Sequence, residues 1–386
     1  MRVVHVCAYF APAFAYGGPP RSLLRLAQAQ QQQGLAVQVV TTTANGRVNL
    51  DAAAAAADRF EGVPVTYCHR ARPRWLFHAP ALRGALSRAL NGADILHIHG
   101  LWNAAVWGAH AVASARRARY VLSPRGMLAP QALAHDRWRK AAAYQLFDRR
   151  VLRDATVLHA TSEQEGDTLA RRCGRERVVM VPNGVDLPTA VGGAPEVRAR
   201  FGLPPDAPLI LFLGRIHPLK RLDLLAGAFL ALRAAHQRAH LVVAGPDETG
   251  LRAGLEQQLA PVAGAVTWTG RVDEAEKWDL LSEAAVLVLC SDSESFGLSV
   301  AEALAAARPV VVTRTCPWSS VEASGAGFWV EQRAEAIAAA LGRVLADPAA
   351  AKEMGERGRR LIAADYSWDS AARRLTAVYE TALAAA

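Results

Sequence analysis

Long apolar runs are missing from this chain: nowhere do about 18 uncharged hydrophobic residues follow one another, so no transmembrane helix is expected. Cysteine is scarce too. The five, at positions 7, 68, 173, 290 and 316, are odd in number and include no C-x-x-C pair. That number and spacing indicate neither a disulfide framework nor a cysteine zinc site, and a reducing, cytoplasmic compartment fits best. No G-x-G-x-x-G follows the first apolar run, which argues against a dinucleotide-dependent dehydrogenase. Nor does any Asp-x-Asp occur, so no metal ligand set is called for.

What is present is a globular composition, 52% hydrophobic and 20% charged over 386 residues, enough for two domains with sizeable cores. The net charge of +9 is unevenly spread: residues 1–185 hold 24 Lys/Arg against 11 Asp/Glu, whereas 186–386 hold 20 against 24. An anionic partner of the first half follows, and nucleic acid, an anionic membrane surface and a phosphorylated substrate all qualify. Met1 to Phe10 looks superficially like a secretory signal, but His5 interrupts its apolar run, and a buried first strand is expected instead.

Short continuous apolar runs alternate with segments of helical period. Val3 to Val6, Val37 to Thr41, Asp94 to His99, Tyr120 to Leu122 and Thr156 to His159 form one set. A second set comprises Leu209 to Leu213, His240 to Ala244, Val266 to Trp268, Val286 to Leu289 and Pro309 to Val312. Strands apolar on both faces belong to parallel sheets covered by helices, so the fold class is α/β with two Rossmann-like, doubly wound domains. A cluster of turn formers, from Pro182-Asn183-Gly184 to Gly192-Gly193-Ala194-Pro195, separates them. The expected domains are 1–186 and 187–365.

The most specific segment is Ser291 to Leu304, where a strand runs through a polar turn into a helix beginning near Gly297. Free N–H groups at a helix start attract anions. Glu294 in the turn and Glu302 inside the helix can bracket one ligand, and carboxylates suit vicinal hydroxyls because each offers two acceptor oxygens. This Glu, seven residues, Glu pattern, set in Ser-x-x-Glu-x-Phe-Gly, resembles the retaining glycosyltransferases of family 4. The resemblance implies GT-B architecture, two Rossmann-like domains facing across a cleft. It also implies that Glu294 and the backbone of Ser295, Phe296 and Gly297 face the donor sugar while Glu302 holds the ribose hydroxyls.

Phe212 to Arg221 is a glycine turn after a strand, with Arg215 and Lys220 five residues apart. Two fixed cations can neutralise a diphosphate, and the family likeness gives them the donor pyrophosphate. In the first half, Gly17-Gly18 follows strand one, where glycine lets backbone approach a ligand; the family carries such a pair here. His97 and His99 share a strand face at the carboxyl edge of the sheet. The resemblance favours His99 near the donor, with His97 as a core histidine. Arg125 sits after the next strand, facing acceptor phosphate or donor, or else in a salt bridge with Glu163 or Asp136.

Ser123 to Leu128, Arg137 to Lys140 and Leu158 to Glu163 resemble the branch of the family that builds exopolysaccharide and lipopolysaccharide O-antigen. The implied partners are a UDP- or GDP-linked sugar and a polyprenyl-diphosphate-linked or oligosaccharide acceptor, with transfer that retains configuration and needs no metal or cofactor. Arg70, Arg72 and Arg74 beside Trp75 and Phe77 suit an anionic membrane face, giving a cytoplasmic protein peripheral on the inner membrane. Asp365 to Trp368 and the helix after it resemble the family ending, a segment 366–386 that packs back on the first domain. The alternatives are a nucleotide-sugar epimerase of the same architecture and a non-enzymatic binder of anionic polymer. Nucleic-acid binding is disfavoured because it gives no reason for the Glu pair.

Overall fold

His5 is as buried as Val3, Val4 and Val6 around it, which places the first strand in the middle of a sheet covered on both faces. We describe a computed structural model, over residues 1–134, 136–188, 195–294 and 296–384. It divides into two units: one comprises Met1–Gly184 with Trp368–Ala386, the other Val185–Ser367.

The first unit contains strands β1 (Arg2–Val6), β2 (Ala36–Thr42), β3 (Ala44–Asn45), β4 (Val48–Asn49), β5 (Arg59–Phe60), β6 (Val63–Cys68), β7 (Ile95–His99), β8 (Tyr120–Ser123), β9 (Val157–Ala160) and β10 (Val178–Met180). β3 and β4 form a small hairpin, and the other eight make one sheet in the order β10-β9-β8-β7-β1-β2-β6-β5. All neighbours in that sheet run parallel except β5 and β6. On one face, the helices Gly18–Gln32 and Trp368–Ala384 pack Leu23, Leu24, Leu375 and Tyr379 over Val3 and Ile95. On the other, Leu82–Ala89 and Ala104–Arg116 pack Leu86 and Val106 over Val4 and Leu96. Successive strand side chains therefore enter two separate cores.

The second unit holds β11 (Leu209–Leu213), β12 (His240–Ala244), β13 (Val266–Gly270), β14 (Ala284–Leu289), β15 (Val310–Thr313) and β16 (Gly327–Val330). They form an all-parallel sheet in the order β13-β12-β11-β14-β15-β16. The order reverses at β11 and β14, and in such sheets the crevice at the carboxyl ends of those strands is where ligands bind.

Six strands were not anticipated from the apolar pattern: the two-residue β3, β4 and β5, and the longer β6, β10 and β16. Pro64 interrupts β6, β10 has only three residues, and β16 carries partly exposed Phe328, Trp329 and Val330, so none presents the buried run that marks the others. Of the expected linker, Gly192, Gly193 and Ala194 lie outside the described residues, and Pro195 opens a short helix to Arg200.

Candidate functional site

In the second unit the chain turns sharply after β11 because Gly214 and Gly245 touch: a Cβ on Gly245 would meet the Gly214 carbonyl oxygen at 1.9 Å. Gly214 leads to a turn of 3-10 helix, Pro218–Lys220, in which the Leu219 N–H donates to His217 Nδ1 at 3.2 Å. Lys220 then reaches across to the loop after β14 and forms an ion pair with Glu294. Ser291 Oγ donates to the same carboxylate oxygen at 2.6 Å. Arg221, left-handed at φ 50°, binds Asp223 at 2.9 Å and Asp292 at 3.1 Å, tying the two loops together. Lys220 and Glu294 are thus brought into one spot. Arg215 has a different partner, with Nη1 2.8 Å from Glu248.

Gly297 adopts φ 84°, a conformation that glycine tolerates, and starts the helix Leu298–Ala305. A Cβ there would press on Trp318 Nε1 at 2.9 Å. That indole N–H donates to the Phe296 carbonyl at 2.5 Å, and the Phe296 ring is buried against Trp318 and Tyr366. Phe296 is therefore an anchor for the loop, and its side chain faces the core rather than a ligand. Ser295 lies outside the described residues. Glu302 accepts from Lys277 at 2.7 Å, and Lys277 also reaches Glu274 at 2.6 Å. Lys277 escaped the sequence reading. Its only signal is an i, i+3 spacing from Glu274 on the helix Glu274–Glu283, opened by an Asp273/Glu276 capping box.

In the first unit, Gly17 takes φ 79° and Gly18 begins the helix Gly18–Gln32. The turns after β1, β7 and β8 enclose a cavity of about 70 Å³ lined by Tyr9, Pro19, His99, Asn103, Arg125 and Met127 among others. Arg125, left-handed at φ 58°, donates from Nη1 to Asn183 Oδ1 at 2.8 Å and from Nη2 to His99 Nδ1 at 3.2 Å. The carboxylate whose charge acts on Arg125 is Glu165, not Glu163 or Asp136; one of its oxygens receives the Gly126 N–H at 2.6 Å. His97 is wholly buried between Tyr379 Oη and Ser123 Oγ, each at 2.7 Å, the satisfied core histidine expected. Both ring nitrogens of His99 are occupied as well, Nε2 by His5 at 2.9 Å. Burial together with the neighbouring His97 and Arg125 pushes His99 well below the ordinary histidine range. As arranged, His99 is a neutral acceptor and not a general base.

The basic segment at 70–74 divides. Arg70 is only 3% exposed; it donates to Asn49 Oδ1 at 2.8 Å, to the Gly46 carbonyl at 3.1 Å and to the Val48 carbonyl, and so clamps the β3–β4 hairpin. It cannot also meet a membrane, and Phe77 packs inward near Tyr9 and Tyr16. Trp75 stays 60% exposed under the guanidinium of Arg139, and Trp138, 77% exposed, lies under Arg137. Among the described residues no helix is long and apolar enough to cross a membrane.

The described geometry has counterparts among known proteins. Residues 17–184 match the model for a glycosyl transferase 4-like domain, and residues 194–361 that for glycosyl transferases group 1. A D-inositol 3-phosphate glycosyltransferase of Streptomyces avermitilis is 31% identical over 84% of this chain and 72% of the relative. The enzyme of that name from Streptomyces scabiei is 28% identical over 95% of this chain and 87% of its own length. Among solved structures, the sucrose-phosphate synthase of Thermosynechococcus elongatus superposes with a TM-score of 0.79 at 21% identity, covering all of both chains. Anabaena HepE, solved with UDP and glucose, superposes at 0.77 and 16% identity over 99% of this chain and 100% of that one. WaaG, a glycosyltransferase of lipopolysaccharide biosynthesis, reaches 0.71 at 16% identity over 98% and 99%. With both domain models matched in order and the relatives aligned across most of the length, the chain belongs to the family 4 glycosyltransferases of GT-B architecture, enzymes that take their sugar from a nucleotide donor.

Proposed function

We propose that this glycosyltransferase moves a sugar, with retention of configuration, from a nucleoside diphosphate donor held by the second unit to a hydroxyl of a phosphate-bearing acceptor recognised by the first. The observation that carries the donor reading is the Lys220–Glu294 pair beside the start of the helix Leu298–Ala305. An incoming diphosphate competes with Glu294 for Lys220, and the released carboxylate is then an acceptor for sugar hydroxyls. Arg215 leaves Glu248 for the same phosphates, and Glu302, steadied by Lys277, takes the ribose hydroxyls. Charge on the leaving diphosphate grows toward the transition state, so these cations act on turnover, and the leaving oxygen takes the acceptor proton.

For the acceptor, the basic first unit and Arg125 favour an anion. The curated relatives are named for an inositol phosphate; a polyprenyl-diphosphate-linked glycan offers the same chemistry, a phosphate and a hydroxyl, on a membrane anchor. We favour the lipid-linked acceptor because Trp75 and Trp138 remain exposed beside Arg139 and Arg137, where rings can enter a headgroup layer and guanidiniums meet lipid phosphates. A screen of UDP- and GDP-sugars by native mass spectrometry, followed by nucleotide release with inositol phosphate or a polyprenyl-diphosphate sugar as acceptor, tests the reading. Binding of a nucleotide sugar with release stimulated only by the lipid-linked compound supports it. Release stimulated by inositol phosphate alone discards the lipid acceptor, and no donor binding discards the whole.

A further inference from the structure

Four histidines, His5, His97, His99 and His159, stand at adjacent positions across β1, β7 and β9, with Ser123 of β8 among them, and all four are buried. Every ring nitrogen has a partner, and the partners form one continuous chain whose direction is decided at its ends. At one end His159 Nε2 faces the Val181 carbonyl at 2.8 Å. A carbonyl only accepts, so His159 carries its proton on Nε2 and its Nδ1 accepts from Ser123 Oγ at 2.5 Å. Ser123 Oγ must then accept from His97 Nε2–H at 2.7 Å, and His97 Nδ1 accepts from the Tyr379 hydroxyl at 2.7 Å. Tyr379 in turn accepts from the Gln30 amide at 3.1 Å. That orients the Gln30 Oε1 toward His5, whose Nε2–H donates to it at 2.8 Å. His5 Nδ1 is left to accept from His99 Nε2–H at 2.9 Å. The far end is Arg125, which only donates, and it meets His99 Nδ1. Starting from either end gives the same direction.

Four neutral imidazoles in the Nε2–H tautomer follow from this arrangement. Burial agrees with it, pushing His5 down to about 4 and His159 down to about 3. The loop also closes on itself: Val181, where the chain of bonds ends, is two residues from Asn183, the second support of Arg125. One nitrogen each from His5, His97 and His99 lies within 4.8 Å of the others, but a metal ion there would have to break these bonds beside a guanidinium.

We propose that Tyr379, on the C-terminal helix, and Gln30, on the first helix, are positioning residues for Arg125: through His97, His5 and the His99 tautomer they hold its guanidinium over the cavity, where it binds an oxyanion of the ligand. The oxyanion half of this rests on the reading of Arg125 as an acceptor-phosphate contact; the tautomer half does not. Without the Tyr379 hydroxyl the Gln30 amide has no acceptor to orient it. Turned over, it would offer N–H to His5, reverse the tautomers of His5 and His99, and aim an imidazole proton at the arginine.

The test uses the full chain labelled with ¹⁵N-histidine, as wild type, Tyr379→Phe, Gln30→Met, Arg125→Lys and Tyr379→Phe/Arg125→Lys. Long-range ¹H–¹⁵N spectra at pH 7 should show four Nε2–H imidazoles in the wild type and a redistributed His99 in Tyr379→Phe and Gln30→Met. Inorganic phosphate, titrated at constant ionic strength, should bind about tenfold more weakly to Tyr379→Phe, and the double variant should be no weaker than Arg125→Lys alone. A wild-type His99 protonated on Nδ1, or a variant whose tautomers and phosphate affinity match the wild type, overturns the positioning role, as do additive losses in the double variant. Absence of phosphate binding in the wild type overturns the oxyanion role instead, whatever the tautomers do. Should Tyr379→Phe not fold, Gln30→Met carries the same readouts.

Discussion

Lys277 Nζ lies 2.7 Å from Glu302 Oε1 inside the second unit, with Glu274 as its other carboxylate partner at 2.6 Å. Only 8% of the lysine is exposed, so the contact is shielded from solvent; loss of Lys277 takes the ammonium from Glu302, whereas loss of Glu302 leaves Lys277 still paired with Glu274. Glu302→Gln is expected to weaken nucleotide-sugar binding by about 1.5 to 3 kcal/mol, the worth of a hydrogen bond to a charged acceptor. Calorimetry with the donor checks it. Lys277→Met should also loosen donor binding, since Glu302 is then no longer held, and unchanged affinity in both variants would remove the ribose role.

Lys220 and Arg215 differ in what they give up to bind a diphosphate. Lys220 is mostly buried and already paired with Glu294, whereas Arg215 is 44% exposed beside Glu248. Lys220→Ala should therefore lower kcat by about a hundredfold and Arg215→Ala by about tenfold, with smaller changes in KM for the donor. Steady-state kinetics showing a raised KM at constant kcat would contradict this.

Stability should fall in acid, and the sign follows from the buried histidines. Their folded pKa values are depressed, to about 4 for His5 and about 3 for His159, with His97 and His99 also well lowered. Below about pH 6.5 the unfolded chain takes up protons that the folded chain refuses, so stability drops as pH falls from about 6.5 toward 4. Asp148 acts oppositely. Burial raises it to about 6, and it binds its proton in the folded state first, so it stabilises over the same window. One carboxyl against four imidazoles leaves a net loss, of about 3 kcal/mol from His5 alone by pH 4. Urea melts at pH 7 and pH 5 measure it; equal midpoints would mean that the imidazoles are solvated.

Replacing Trp75 and Trp138 by Ala, with Arg137 and Arg139 by Ser, should release the protein from phosphatidylglycerol vesicles at low salt. The exposed rings and their cations would be gone while the fold is untouched. Arg70→Ser should instead cost stability, about 2 kcal/mol, because it removes the buried guanidinium that donates to Asn49 and to the carbonyls of Gly46 and Val48, leaving Gly46 only the Tyr16 hydroxyl among its side-chain donors. Equal vesicle binding by the wild type and the fourfold variant would rule out this face.

Apolar runs covered on both faces, with glycine turns at their ends, made the two parallel sheets legible in the sequence, since a strand buried from both sides has no polar positions to spare. The Glu294 and Glu302 spacing and the Gly214 to Lys220 turn were legible for a related reason: local loop geometry is set by residues close in the chain. Pairings between distant residues were not. That Lys277 meets Glu302, that Arg70 turns inward to clamp a hairpin while Arg139 covers Trp75, and that Gln30 and Tyr379, 349 positions apart, join His5 to His97 all depend on which helix packs over which strand. A buried polar side chain must find its partner among whatever the fold brings near. Sequence therefore determined the layers and the loops of the site, and only the packing of helices on sheets decided which charges and tautomers those loops carry.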